Sequence, residues 1–315
     1  MKLRWFLILF TLMMATSNAS TPPSETALTP LSAAKAGELT DLTPAFVALA
    51  DKTKALPDPD LIKAFHSRFD LIVPGYYDDQ GDYQSQFDSE IATALRNLPS
   101  YRLKFEAAAR SFQPAFERAQ VKFRRTIPDY RLDIPVYLLH SIGTQDGGTR
   151  DSGGRSAMYF GADVIAEIHD ASTIEPFLTH ELFHIYHQRF FSGCGKIWCS
   201  LWIEGMAVYA ASRLHPRATD RQLLLTSPQP IRAAVEPRFS QAMCYLKTRL
   251  DRDHGQEEFF SGNPNEGPFP PRFGYFLGYV LARKIASNRS LTQIARLRPT
   301  EVRTLIDREL SRYHC

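Results

Sequence analysis

The feature that most constrains this chain is the pentapeptide His180-Glu181-Leu182-Phe183-His184, an H-E-x-x-H pattern. On an α-helix, residues four apart lie on the same face, so both imidazoles can reach one metal ion without further folding. Glu181 falls beside them, where its carboxylate can take a proton from a metal-activated water. The pattern therefore requires a helix at this place, a third ligand from elsewhere and access for water.

The residues around the motif predict that helix. Ser172 and Glu175 have the S-x-x-E spacing of a capping box, and Pro176 falls in the first turn, where a missing N–H costs little. Apolar residues occupy more than one side of the segment, which is typical of a buried helix. Gly193 and Gly195 are expected to end it. Two core histidines hydrogen-bonded to their neighbours are the alternative interpretation.

A candidate third ligand, Glu204, lies twenty residues after the second histidine. The segment 201–211 is apolar almost throughout and predicts a second helix, in which one carboxylate is costly unless it is paired or binds a metal. Gly205 and three alanines after it would let this helix approach a neighbour closely. His180, His184 and Glu204 would give zinc three protein ligands and leave a fourth position for water. A structural ion pair is the alternative role for Glu204.

The sequence H-E-L-F-H, followed twenty residues later by the glutamate of W-I-E-G-M-A-V-Y, resembles the gluzincins, the thermolysin-like zinc peptidases. More narrowly, it is similar to bacterial proteins described as predicted zinc-dependent proteases. The resemblance covers about residues 100–285 and is specific over 180–209. It implies zinc as the cofactor, His180, His184 and Glu204 as its ligands, and Glu181 as the general base.

The resemblance also implies a fold. We expect an α+β, mainly helical, zincin-like protein with a small mixed or antiparallel sheet packed on the active-site helix. The strand before that helix, predicted at 157–165, would line the substrate cleft, where an extended peptide can pair with its edge. One residue departs from the family: thermolysin has an aspartate four residues after the ligand glutamate that orients a histidine ligand, and here that residue is Val208.

In several gluzincins a tyrosine hydroxyl from a downstream helix stabilises the oxyanion of the tetrahedral intermediate. The segment 273–283 is predicted to be helical, and Tyr279 is the expected donor, with Tyr275 and His254 as alternatives. Two tyrosines packed as part of an aromatic core are an equally good explanation of this spacing.

Residues 1–19 have the organisation of a secretory signal peptide: Lys2 and Arg4, a short apolar run, and then Ser17-Asn18-Ala19. The run is too short for a comfortable membrane span, and an uncleaved anchor is the alternative. The Ser-, Thr- and Pro-rich residues 20–43 predict a flexible lead-in. Residues 44–315 are expected to form the peptidase domain, with an N-terminal helical part at 44–128. We therefore expect a secreted or periplasmic protein with no stable membrane span after signal removal.

Four cysteines in an oxidising compartment favour two disulfides. Three connectivities are possible. We favour Cys194–Cys199 and Cys244–Cys315, because the first pair would hold the short connection between the two ligand-bearing helices. The 37 basic and 34 acidic residues nearly balance, which gives no argument for a nucleic-acid partner.

Between the predicted strands 134–139 and 157–165, residues 143–154 are rich in glycine and predict a hairpin connection. This loop lacks the Gly-Lys-Ser/Thr ending of a phosphate-binding loop. Before these strands, four phenylalanines from Phe105 to Phe123 recur at helical spacing with Ala108 and predict a core-facing stripe.

These features together predict a zinc-dependent peptidase that hydrolyses peptide or protein substrates with metal-activated water and a glutamate base. Three alternatives stay open: an amidase of cell-wall peptides, a non-catalytic secreted zincin-fold binding protein, and a helical domain whose H-E-x-x-H is accidental.

Overall fold

The computed structural model describes residues 35–78, 80–152, 154–226 and 228–315. The predicted signal peptide, and the predicted lead-in as far as residue 34, lie outside the described residues. The described part is mainly helical with one small mixed sheet, the α+β class that was predicted. In chain order its strands and α-helices are β1 (Leu39–Asp41), α1 (Thr43–Thr53), α2 (Asp58–Phe69), α3 (Gln84–Thr126), β2 (Val136–Leu139), β3 (Gly147–Ser152), β4 (Arg155–Gly161), α4 (Ala162–Ile168), α5 (Ile174–His187), α6 (Ile197–Leu214), α7 (Ile231–Val235), α8 (Phe239–Lys247), α9 (Glu257–Phe260), α10 (Phe273–Ile285), α11 (Leu291–Ala295) and α12 (Pro299–Leu310).

The described residues divide into two compact units. The sheet unit comprises 35–110 and Leu132–Ile168 and contains all four strands. The helical unit comprises Ser111–Arg131 and His169–Cys315, and so includes both predicted ligand-bearing helices, α5 and α6. The residues of α3 belong in part to each unit.

The sheet has the strand order β1-β2-β4-β3. The pairs β1–β2 and β2–β4 are parallel, whereas β3 pairs antiparallel with β4, so the sheet is mixed. All four residues of β2 and the last five of β4 are buried, as expected for central strands covered on both faces. The end of the predicted lead-in is not a free segment, because residues 39–41 form β1.

Two predicted boundaries in this unit are wrong. The predicted strand 157–165 ends at Gly161, and Ala162–Ile168 is helix α4. A Cβ on Gly161 would lie 2.1 Å from the carbonyl oxygen of Gln145, so the last residue of the strand must be glycine for the loop that leads into β3 to pass this close. A short apolar run cannot by itself distinguish strand from helix. The predicted loop 143–154 is a loop only to residue 146, because Gly147–Ser152 form a separate strand that pairs antiparallel with β4. The predicted hairpin between strands 134–139 and 157–165 is therefore also wrong: β2 and β4 are parallel, and the hairpin joins β3 to β4.

The predicted stripe on α3 is confirmed. Phe105, Phe112, Phe116 and Phe123 are all buried, whereas Ala108 is only partly covered. This spacing places the four rings on one side of the helix, where they contribute to the apolar cores that hold the fold together.

A buried histidine in the sheet unit has a structural explanation. The Nδ1 atom of His140 accepts a hydrogen bond from the N–H of Ile142 at 3.1 Å, so its Nε2 carries the proton and faces the hydroxyl of Tyr101 at 2.9 Å. Phe46 stacks on the ring at 4.2 Å between centroids. Burial lowers the pKa of His140, so the ring is neutral and is satisfied as part of the core.

Both predicted disulfides are present, Cys194–Cys199 and Cys244–Cys315, and together they use all four cysteines. Cys199 lies in the first turn of α6, so the shorter bridge closes the connection between α5 and α6, as expected. Among the described helices, none is both long enough and apolar enough to cross a membrane.

Candidate metal centre

Helix α5 carries the H-E-x-x-H motif in its last two turns, but it begins differently from the prediction. Ser172 and Glu175 do not form a capping box; instead the carboxylate of Asp170 accepts hydrogen bonds from the backbone N–H groups of Ser172 and Thr173 at 2.9 and 3.2 Å. Glu175 pairs with Lys122 at 2.6 Å. A nearby lysine is a stronger partner for this carboxylate than a backbone N–H, and Asp170 already serves the helix start.

The end of α5 also differs. The helix stops at His187, and Gln188 is its C-cap residue, several positions before Gly193 and Gly195. Gly195 does have a positive φ of 70°, so it serves the turn that leads into α6 rather than the end of α5.

Helix α6 is held in place by close backbone contact with α10. A Cβ on Gly205 would lie 2.2 Å from the carbonyl carbon of Gly278, and a Cβ on Gly278 would lie 2.3 Å from the carbonyl oxygen of Leu201. Only two glycines permit this approach. Because Glu204 precedes Gly205, the crossing determines where the single carboxylate of α6 lies.

The three predicted ligands converge. The Nε2 atoms of His180 and His184 are 3.1 Å apart, and Oε2 of Glu204 lies 3.3 Å from the first and 3.5 Å from the second. Ligands bound tetrahedrally at about 2.0–2.1 Å from a zinc ion are separated by about 3.3–3.4 Å. The three separations therefore fit one shared tetrahedral ion, and two imidazoles with one carboxylate are a donor set that suits zinc.

The charges of the three groups depend strongly on one another. Burial would raise the pKa of Glu204, but the two histidines outweigh it and hold that pKa well below its usual range, so the group is a carboxylate. Burial lowers the pKa of His184, but Glu204 outweighs it and raises that pKa to about 9. Burial also lowers the pKa of His180, and at this residue it outweighs the opposing effect of Glu204. Glu204 is thus a carboxylate that attracts positive charge to His184, and a metal ion bound by these three groups would have to displace the proton of His184.

The predicted base, Glu181, lies at the same centre. Its Oε1 is 4.0 Å from Nε2 of His180, and its side chain is 13% exposed. The side chains of His184 and Glu204 are 22% and 24% exposed, whereas that of His180 is 5% exposed. The centre is therefore mostly buried at His180 and partly open to solvent at His184 and Glu204.

The structure separates the three candidates for an oxyanion donor. The ring of Tyr275 lies 6.4 Å from that of His180, and burial together with the charges of Glu204 and Glu181 raises its pKa. Tyr279, the expected donor, instead lies under the guanidinium groups of Arg232 and Arg283, at 5.9 and 5.6 Å. The side chain of His254 is 77% exposed and pairs with its neighbour Asp253. Tyr275 is thus the candidate that these contacts bring to the centre.

Sequence reasoning missed Arg272. This residue is the N-cap of α10, with φ 63° and ψ 16°, and its guanidinium lies over the ring of Tyr275 at 4.5 Å. Its positive charge lowers the pKa of His180. The sequence did contain a signal for it: Arg272 follows Pro270-Pro271, where a helix can begin, and lies three residues before Tyr275, which places the two side chains one helical turn apart.

A polar chain supports α5 immediately before His180. The Thr179 hydroxyl donates to the carbonyl of Glu175 at 2.9 Å and lies 2.9 Å from Nε2 of His215. On the other side of the His215 ring, Nζ of Lys122 is 3.1 Å from Nδ1. Lys122 also binds Glu175, so the chain closes on itself and ties α3 and the end of α6 to the turn that precedes the motif.

Comparisons of this chain with protein-family models, with curated proteins and with solved structures gave no match. The geometry of the centre is therefore the guide to what the protein does.

Proposed function

We propose that this protein is a zinc-dependent peptidase of the gluzincin type, with a zincin-like fold, that acts outside the cytoplasm. The observation that carries the proposal is the convergence of His180, His184 and Glu204 at separations of 3.1–3.5 Å, with Glu181 beside them. The partial exposure of His184 and Glu204 supports a catalytic centre over a closed structural one.

Bound zinc would supply Lewis acidity, and would lower the pKa of water from about 15.7 toward about 7. Glu181 then accepts the proton of the attacking water and passes it to the leaving amine. The Tyr275 hydroxyl donates a hydrogen bond to the oxyanion that develops at the scissile carbonyl. The raised pKa of Tyr275 suits this role, because the hydroxyl keeps its proton at neutral pH.

The compartment is supported by the two disulfides, which persist in oxidising environments. A secreted or periplasmic location also agrees with the signal peptide predicted at residues 1–19. The cleft-lining role predicted for 157–165 remains a prediction.

Metal analysis and two substitutions, with a matched control, test the proposal. We expect about one zinc per purified chain, loss of that zinc in His180→Ala, and hydrolysis of a mixed peptide library. Glu181→Gln should retain zinc and lose hydrolysis, because the base is removed while the ligands remain. The matched control is Glu257→Gln, which changes an exposed glutamate in the same way and should leave zinc and hydrolysis unchanged.

Each contrary outcome has a distinct meaning. A chain without stoichiometric metal would contradict the centre itself. Bound zinc without hydrolysis of any peptide would favour the non-catalytic binding protein, and activity confined to cell-wall peptides would favour the amidase. Unchanged turnover in Glu181→Gln would remove Glu181 from its role as base.

A further inference from the structure

Arg272 has a backbone conformation that needs a reason. Its φ of 63° lies in the left-handed region, which an arginine adopts at a cost and which glycine or asparagine adopts readily. Two backbone hydrogen bonds hold the turn: the N–H of Arg272 donates to the carbonyl of Ser261 at 3.0 Å, and the N–H of Phe273 to that of Pro270 at 3.2 Å. Strained residues of this kind cluster at functional sites, where the side chain must point in a particular direction.

The side chain of Arg272 is directed to the metal centre through Tyr275. Its guanidinium lies over the Tyr275 ring at 4.5 Å, and that ring lies 6.4 Å from the ring of His180. Both Arg272 and Tyr275 are partly exposed, so a substrate can reach them. The cation is therefore one aromatic ring away from the candidate ligand His180.

The chemistry of the guanidinium determines which substrate group it can bind. The group is permanently charged, and its five N–H donors match the two oxygens of a carboxylate. Its contact with the Tyr275 ring, together with a side-chain hydrogen bond between the two residues, holds the cation near the centre before a ligand arrives.

We propose that Arg272 receives a carboxylate of the substrate, so that the preferred substrates are peptides with a negative charge close to the scissile bond. The carboxylate belongs either to the C-terminus of the peptide or to an acidic side chain. This proposal rests on the proposed function and deepens it, because it names the substrate class of the same centre.

The test compares one random hexapeptide library in two forms, with free C-termini and with amidated C-termini, and locates the cleavages by mass spectrometry. If the C-terminus is recognised, the wild-type protein cleaves the free-acid library near its end and the amidated one at least about tenfold more slowly. If an acidic side chain is recognised, cleavage in both libraries occurs beside Asp or Glu. Cleavage with neither preference would overturn the proposal.

Substitutions assign the preference to Arg272. Arg272→Asn keeps the left-handed backbone accessible and should raise KM for the preferred peptides roughly ten- to hundredfold, with kcat little changed. Arg272→Lys keeps the positive charge but loses the paired N–H groups, so its KM should lie between that of the wild type and that of Arg272→Asn. The control is Arg238→Asn, which removes an exposed guanidinium that stacks on Phe269 at 4.8 Å, and should change nothing. An equal fall in kcat on every peptide in Arg272→Asn would contradict the proposal.

A binding measurement separates this proposal from the proposed function. Acetyl-Ala-Ala and its amide are titrated into zinc-loaded Glu181→Gln, with and without Arg272→Asn. Tighter binding of the free acid that disappears in the double variant supports the carboxylate site even if no peptide is hydrolysed. Equal binding of the acid and the amide would contradict recognition of the peptide C-terminus by Arg272. The same titration with acetyl-Ala-Glu-amide and acetyl-Ala-Gln-amide tests recognition of an acidic side chain, and equal binding of these two peptides would contradict that form of the proposal.

Discussion

At the scale of single residues, one turn of α10 separates two tyrosines with different surroundings. Tyr275 lies beside His180 and is influenced by both Glu204 and Glu181, whereas Tyr279 lies beneath two arginines. We predict that Tyr275→Phe lowers kcat on a responsive peptide about a hundredfold with little change in KM, because an oxyanion donor acts in the transition state.

Tyr279→Phe is the matched control and should leave kcat within about twofold, since its hydroxyl is not expected to reach the reacting carbonyl. Steady-state kinetics on the same peptide measure both variants. The reverse result, with Tyr279→Phe the damaging change, would restore the donor predicted from the sequence.

A second prediction at this scale concerns His215. Burial and the neighbouring Lys122 lower its pKa to about 4, although Glu175 acts in the opposite direction. The pKa of an unfolded histidine is about 6.5, so between these values the unfolded chain binds a proton that the folded chain does not. Stability therefore falls as the pH decreases from about 6.5 to about 4.

Urea unfolding at a series of pH values measures this effect. The variant His215→Gln cannot gain the proton, so it should lose less stability than the wild type across this window. Thr179, Lys122 and Glu175 are the groups that contact or act on His215, and they are unchanged in both proteins. Parallel stability curves for the two proteins would show that His215 does not titrate in this way.

At the scale of helices, the crossing of α6 and α10 brings together two residues of the candidate site, Glu204 on α6 and Tyr275 on α10. Gly205 adjoins the candidate ligand Glu204, and Gly278 lies three residues after Tyr275, so the close approach of the two helices lies near both residues. We predict that Gly205→Ala costs about 1–3 kcal/mol of unfolding free energy, because the added Cβ meets backbone that cannot move aside easily.

The same substitution should weaken zinc retention against a chelator, since separation of the helices shifts Glu204. Gly193→Ala is the control: its Cβ would meet only the Cδ1 of Ile203, at 3.8 Å. Urea unfolding and competition with a chelator measure the two effects. Full zinc retention in a destabilised Gly205→Ala would separate the crossing from the position of the ligand.

At the scale of the whole molecule, the two disulfides close loops of very different length. Cys244–Cys315 spans 71 residues and fastens the C-terminus, whereas Cys194–Cys199 spans 5. In the chain-entropy model the longer loop contributes about 4 kcal/mol and the shorter about 2 kcal/mol. We predict that Cys244→Ser with Cys315→Ser destabilises the protein more than Cys194→Ser with Cys199→Ser.

Denaturant midpoints of the two double variants measure this difference. The comparison has a second readout, because the shorter bridge lies in the connection between the two helices that carry the candidate metal ligands. If the protein binds zinc as proposed, loss of this bridge should lower zinc affinity more than loss of the longer one. An equal loss of stability in both variants would mean that loop length does not govern the contribution of these bridges.

The candidate metal ligands could be predicted from the sequence alone, because the physical reasons for them are local. The spacing of His180 and His184 fixes their common face on any α-helix, and a lone carboxylate in an apolar helix, Glu204, needs a partner wherever that helix lies. Helical periodicity and strand-like runs are also local, and they agree with the α+β class that the family resemblance implied. The number of cysteines predicted two disulfides, and the short connection between the two predicted helices favoured the pairing that is present.

Only the tertiary structure decided the features that depend on which segments meet. Asp170 displaced the expected capping box because Lys122, distant in sequence, already binds Glu175. The approach of Gly205 to Gly278 and the presence of Arg272 and Tyr275 at the centre arise from contact between helices more than sixty residues apart. Periodicity specifies the faces of a helix, but the rotation of one helix against another depends on packing. Packing places Tyr275, and not Tyr279, beside the candidate metal ligand His180.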